Sequence, residues 1–247
     1  MYHAPPMRIW IPLPDRDFDV TEVAVPWKLL TRAGHEVVFA TERGDATPAC
    51  DPLLLTGVLF GQLGAEPEPK AFYEEMTRSK EFRSPVSWKT LAPASFDGLV
   101  LPGGHAPGMR QYLGSEELQA KVGAFFQLGR PVGAICHGVL VLARTRVDGK
   151  SVLAGRRTTC LPKYMERSAY YLTAWRLGKY YRTYPAYVEE EVRDSGAEFV
   201  RGPRALVARG TDTDDAPAFV VEDGQYVSAR WPGDAYLFAK KLLERLR

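Results

Sequence analysis

Gly133-Ala134-Ile135-Cys136-His137-Gly138 sets a nucleophilic residue type at the junction of two elements. Upstream, Pro131 to Ile135 is a short apolar run with the length of a buried strand. Downstream, a helix is predicted to begin at His137. The small residues Ala134 and Gly138 flank the cysteine, as a turn too tight for bulky neighbours demands. This is a cysteine version of the nucleophile elbow. A thiolate there lies at the start of a helix, where the dipole is expected to depress its pKa and free backbone N–H groups can hold an oxyanion.

Outward from the elbow the chain repeats a parallel α/β rhythm. Met7 to Pro12 reads as a first strand, Glu22 to Ala33 as a helix capped by Asp19 or Thr21 and stopped by Gly34, and His35 to Ala40 as a second strand. A strand, a crossover helix and a strand within about 35 residues make a βαβ unit. Phe96 to Leu101 is a further strand, running into Pro102-Gly103-Gly104-His105, and Ser115 caps a helix to Leu128. The Asp223-Gly224 pair marks a hairpin within Phe219 to Ser228, and an amphipathic helix closes the chain from Asp234 to Leu246. The fold class is α/β: one doubly wound, flavodoxin-like, mostly parallel sheet with helices on both faces.

Two stretches interrupt the rhythm and read as insertions in a single domain over 1–247. One, at about 45–95, is rich in proline and carries a helix near Lys70 to Arg78. The other, 161–192, crowds Tyr164, Tyr170, Tyr171, Trp175, Tyr180, Tyr181, Tyr184 and Tyr187 into a helical region. These aromatics either line a pocket for a bulky substrate or pack in the core or at a dimer interface.

In open α/β sheets, sites form at the carboxyl ends of the strands. Cys136, the Gly103-Gly104 turn and Glu22 at the start of the first helix all fall on that edge. Gly103 and Gly104 allow close backbone approach and are candidates for the second half of an oxyanion hole. An acid in a first helical turn is also favoured by the dipole alone. His105 either reaches the site from the Gly103-Gly104 loop or is a solvated loop histidine, the latter being the simpler reading, and Arg230 to Asp234 reads as the start of the last helix.

The bulk properties exclude other classes. Formal net charge is +2 over 247 residues, which offers nothing to nucleic acid or an anionic membrane. No run reaches the roughly 18 apolar residues of a membrane span. Met1 to Pro6 lacks a signal-peptide pattern, and a cytoplasmic setting is expected. Cys50, Cys136 and Cys160 are too few and too irregularly spaced for a disulfide framework or a metal site, so no metal is expected.

The stretches GAICHG (133–138), LPGGHAPG (101–108) and EVAVPWKLLTRAGHEVVFATERG (22–44) together resemble the ThiJ/PfpI superfamily, with its class I glutamine amidotransferase-like fold, and within it the heat-inducible chaperone and glyoxalase III branch. The resemblance implies Cys136 as nucleophile, His137 as its partner, and Glu22 as the buried glutamate bonded to the cysteine. It implies Gly104 and the His137 backbone as oxyanion donors. Glu166, reached through LAGRRTTCLPKYME (153–166), matches the acid that orients the histidine, although its surrounding run departs from the family's. The implied activity is cofactor-independent conversion of a small α-oxoaldehyde to a 2-hydroxy acid, with deglycase activity from the same adduct, in a homodimer. Alternatives are a cysteine amidase or peptidase, a hydratase or lyase on a bulkier substrate, and a holdase chaperone or redox sensor. Glutamine amidotransfer is disfavoured, because no histidine follows His137.

Overall fold

A computed structural model describes residues 5–204 and 207–247; the N-terminal reading at Met1 to Ala4 lies outside them. Seven strands form the central sheet: β1 (Arg8–Pro12), β2 (Glu36–Thr41), β3 (Val86–Ser87), β4 (Gly98–Leu101), β5 (Val132–Ile135), β6 (Val220–Asp223) and β7 (Tyr226–Ala229). Their order is β6-β7-β5-β4-β1-β2-β3, and every pair is parallel except the β6–β7 hairpin. The chain starts in the middle, builds outward through β2 and β3, then returns to the other side of β1 at β4. That reversal leaves a crevice at the carboxyl ends of β1 and β4, the doubly wound arrangement expected from the sequence.

The helices that matter to the site are α1 (Val20–Arg32), α2 (Pro67–Arg78), α3 (Met109–Leu113), α4 (Glu116–Phe126), α5 (Val139–Arg144), α6 (Lys163–Leu177), α7 (Val188–Asp194) and α8 (Ala235–Arg245). Strand periodicity sends neighbouring side chains to opposite faces, and both faces of this sheet are covered. Trp10 packs against Phe96 and against Phe125 of α4, while Ile9 lies beside Leu246 at the end of α8. Ile9, Trp10, Phe125 and Phe238 are all fully buried, and each such side chain contributes about 1.5–3 kcal/mol. The first insertion does more than pack over the sheet: α2 buries Phe72 and Met76 towards α1, and the insertion also supplies the edge strand β3. A two-residue strand leaves too short an alternation to be seen in the sequence.

At the elbow, the chain leaves β5 through a single 3-10 turn, Cys136–Gly138, before α5 begins. A Cβ on Gly138 would lie 2.1 Å from the Leu101 carbonyl oxygen and 2.6 Å from that of Pro102. Both are backbone atoms at the end of the neighbouring strand, so nothing flexible can yield. Gly149, by contrast, has a positive φ of +78° with nothing within 4 Å of the added atom. Gly149→Ala is therefore expected to cost only the left-handed strain, about 1–2 kcal/mol. Gly138→Ala must displace strand backbone and is expected to cost at least about 3 kcal/mol. Urea denaturation of the two variants checks this ordering, which equal losses would overturn.

Candidate active site

Cys136 has a φ of +57° and no exposed surface. A left-handed non-glycine residue costs about 1–3 kcal/mol and persists only where its surroundings hold it. Here the β5 ladder fixes one side and the close fit of Gly138 under β4 the other. The backbone N–H of His137 faces the sulfur, and the His137 Nδ1 atom lies 3.6 Å from Cys136 Sγ. The backbone of the elbow thus lets two adjacent side chains meet.

Glu22 reaches the same sulfur from α1. Asp19 caps this helix, its Oδ1 accepting from the N–H groups of Thr21 (2.8 Å) and Glu22 (3.1 Å). The Gly103 N–H donates to Glu22 Oε2 at 2.8 Å. Glu22 Oε1 has no nitrogen or oxygen partner among the described residues, and the group before it is the Cys136 thiol. The carboxyl is fully buried, and burial, with the Asp19 charge behind it, raises its pKa well above the usual value. Glu22 is therefore a neutral acid whose O–H can donate to sulfur. A Cβ on Gly103 would meet the His137 nitrogen at 2.7 Å and Glu22 Oε2 at 2.8 Å, so only glycine admits this junction.

Two sequence expectations change here. Gly103 is not an oxyanion donor in this arrangement, because its N–H is committed to Glu22; Gly104, at φ +155°, carries the turn onward. The thiol pKa is not depressed either. Burial first, and then the neighbouring carboxyl groups of Glu22 and Asp19, which would repel a thiolate if ionised, push Cys136 well above the ordinary thiol value, outweighing the His137 N–H that opposes it. The physical reason lies in the local geometry. The helix after the cysteine has six residues behind a 3-10 turn, so its dipole is small, whereas the loss of water is complete.

His137 is likewise buried, and burial, then His105, Arg144 and Arg182, lower its pKa well below the usual imidazole value. It is neutral and can accept a proton. Its Nε2 bonds to no group in the described chain. Glu166 does not orient it: Oε1 accepts from Arg182 at 3.0 Å and Oε2 from the Val188 N–H at 3.0 Å. The expected third member of the triad instead ties α6 to the start of α7. The ring beside His137 belongs to His105, with centroids 4.6 Å apart and edge to face. Of the two positions the sequence allows His105, the structure places it at the site. Its Nε2 is buried without a partner among the described residues, and burial lowers its pKa to about 4.

The tyrosine-rich insertion divides. Tyr171 and Trp175 on α6 point outward and are more than half exposed. The segment 178–187 instead closes over the site. Tyr181 packs edge to face on His105, and Thr183 Oγ1 donates to the His105 carbonyl. Asp51 of the first insertion accepts from the hydroxyls of Tyr180 (3.3 Å) and Tyr181 (3.1 Å). The two insertions therefore meet above Cys136. Arg230 and Asp234 form a buried bidentate pair that braces the end of β7.

Comparison with known proteins gives this geometry a lineage. The ThiJ/PfpI family-like profile matches residues 13–203. The chain belongs to the ThiJ/PfpI family. An uncharacterised protein of Schizosaccharomyces pombe is 30% identical over 243 residues, covering 96% of this chain and 82% of the relative. A deglycase of Pyrococcus abyssi is 27% identical over 242 residues, covering 98% and 100%. The crystal structure of glyoxalase III from Candida albicans superposes with a TM-score of 0.72 at 18% identity over 98% of each chain, a likeness of fold. No helix of the described residues is long and apolar enough to cross a membrane.

The half-buried His105 of this ThiJ/PfpI chain, with its Nε2 out of water, has a measurable consequence. His105 titrates near 6.5 when unfolded and near 4 when folded, so the unfolded state binds more protons between these values. The stability tied to its neutral form is intact above about pH 6.5 and is lost as pH falls towards 4. Between pH 7 and pH 4, wild type is expected to lose as much as about 3 kcal/mol more than His105→Gln. Parallel pH profiles of urea stability for the two proteins would contradict this.

Proposed function

We propose that this protein is a cofactor-independent cysteine enzyme that converts small α-oxoaldehydes to 2-hydroxy acids, in the manner of glyoxalase III. The observation that carries the reading is the meeting, out of water, of one thiol with a neutral acid and a neutral base. The deglycase relatives and the glyoxalase III fold support the same class of chemistry.

The reaction follows from these protonation states. His137 Nδ1 takes the Cys136 proton as sulfur attacks the aldehyde carbon. The Glu22 O–H and the His137 backbone N–H stabilise the sulfur while it carries charge. The imidazolium returns its proton to the new alkoxide, which completes a hemithioacetal. Removal of the proton from the former aldehyde carbon, with protonation of the adjacent carbonyl oxygen, gives an enediol. Reprotonation at the adjacent carbon, with loss of the hydroxyl proton from the carbon that bears sulfur, gives the thioester of a 2-hydroxy acid. Water cleaves the thioester, releasing the acid and the free thiol. The net change adds one water and needs no oxidant, reductant or glutathione. Removal of a glycation adduct would begin from the same kind of hemithioacetal.

Burial also bears on substrate size. Cys136 is fully covered and Tyr181 closes on His105, so a substrate of a few heavy atoms fits this site better than a peptide. That disfavours the peptidase reading.

Methylglyoxal turnover without glutathione, read as hydroxy acid formed, tests the proposal. Cys136→Ala is expected to lose at least about 1,000-fold, and His137→Ala about 100- to 10,000-fold. Glu22→Gln keeps a donor but not a transferable proton, and is expected to lose about 10- to 100-fold. Undiminished turnover by Cys136→Ala would end the proposal.

A further inference from the structure

Among the described residues, one group of three side chains offers soft and borderline metal ligands at close quarters: His105, Cys136 and His137. One ligand atom from each lies within 4.8 Å of the other two. The separation of Cys136 Sγ from His137 Nδ1, 3.6 Å, is already that of two ligands sharing a tetrahedral zinc ion, about 3.5 Å for Zn–S and Zn–N bonds of about 2.3 and 2.0 Å. A second observation points the same way. Nε2 of His105 is buried and bonds to nothing in the described chain, so a polar atom out of water awaits a partner, while Nδ1 of His137 already faces the sulfur. The His137 side chain is itself almost wholly buried, at 1% exposure.

From this geometry we infer that His105, Cys136 and His137 form a site for a zinc-type divalent cation, bound by two imidazoles and one thiolate with a fourth position left for water. Nitrogen and sulfur ligands select zinc or cobalt over magnesium and calcium, which take oxygen. Binding exchanges one proton for the ion: the Cys136 S–H bond breaks, a sulfur–metal bond forms, and the proton leaves to buffer. The ligands come from the turn after β4 and from the elbow after β5, and a small approach of His105 closes the set. The inference stands apart from the proposed reaction, except for one consequence that rests on it. An ion on Cys136 occupies the nucleophile, so zinc reversibly silences the enzyme and a chelator restores it.

Cobalt(II) added alone to the reduced, full-length protein provides the test. We expect one ion per chain, a thiolate-to-cobalt charge-transfer band, and displacement of cobalt by zinc. Cys136→Ser should abolish the band, whereas the double change Cys50→Ser with Cys160→Ser should leave it. His105→Ala should weaken binding at least about tenfold, and His105→Gln likewise, with folding of both checked by circular dichroism. No band in wild type, a band that survives Cys136→Ser, or wild-type affinity in a folded His105 variant would overturn the inference. The spectrum needs no substrate, so cobalt binding by a protein that turns over no methylglyoxal would sink the proposed reaction and leave the metal site standing.

Discussion

Exclusion of water from one sulfur atom is the constraint on which the rest of this structure depends. Cys136 is covered on every side, and its covering includes Glu22, His137 and, through His137, His105. In water each of these groups would take its ordinary charge. Out of water, the charged forms lose several kcal/mol of hydration and the neutral forms prevail. The site is thus a store of neutral acid and neutral base around a protonated thiol. Charge appears there only when a reacting group or an ion arrives to share it.

The fold maintains this dryness by close backbone approach. Gly138 sits against the carbonyl ends of β4, and Gly103 brings the next turn close enough to hold Glu22. Asp19 fixes the start of α1 and hence the depth at which Glu22 enters. Above, Asp51 draws in the hydroxyls of Tyr180 and Tyr181, joining two insertions far apart in sequence. Each contact is local. Together they bring residues from the first, fourth and fifth strands of the sheet to one point at its carboxyl edge.

Much of this was legible in the residues. The βαβ rhythm, the Ser115 cap, the Asp223-Gly224 hairpin and the elbow around Cys136 are local patterns, and local patterns survive into the fold. Glu22 and the glycine turn were legible because strand order sends them to the same edge. What the sequence concealed depends on distances across the chain. The edge strand Val86–Ser87 is too short to alternate. His105 looked like a loop residue because its covering, Tyr181 and Thr183, lies more than 70 positions away. Glu166 matched a family position, but Arg182 and the Val188 N–H hold both its oxygens. The thiol pKa is hidden for a related reason: helix position is visible in sequence, whereas complete burial is not.

The ultraviolet absorbance of the Cys136 thiolate tests the central claim most directly, taken as the difference between wild type and Cys136→Ser across a pH titration of the metal-free protein. If burial governs the sulfur, no thiolate signal assigned to Cys136 develops below about pH 9, the ordinary value for an exposed thiol. A step with its midpoint below pH 7 would mean that the sulfur is already ionised at rest. It would contradict this account of a neutral site that acquires charge only on reaction.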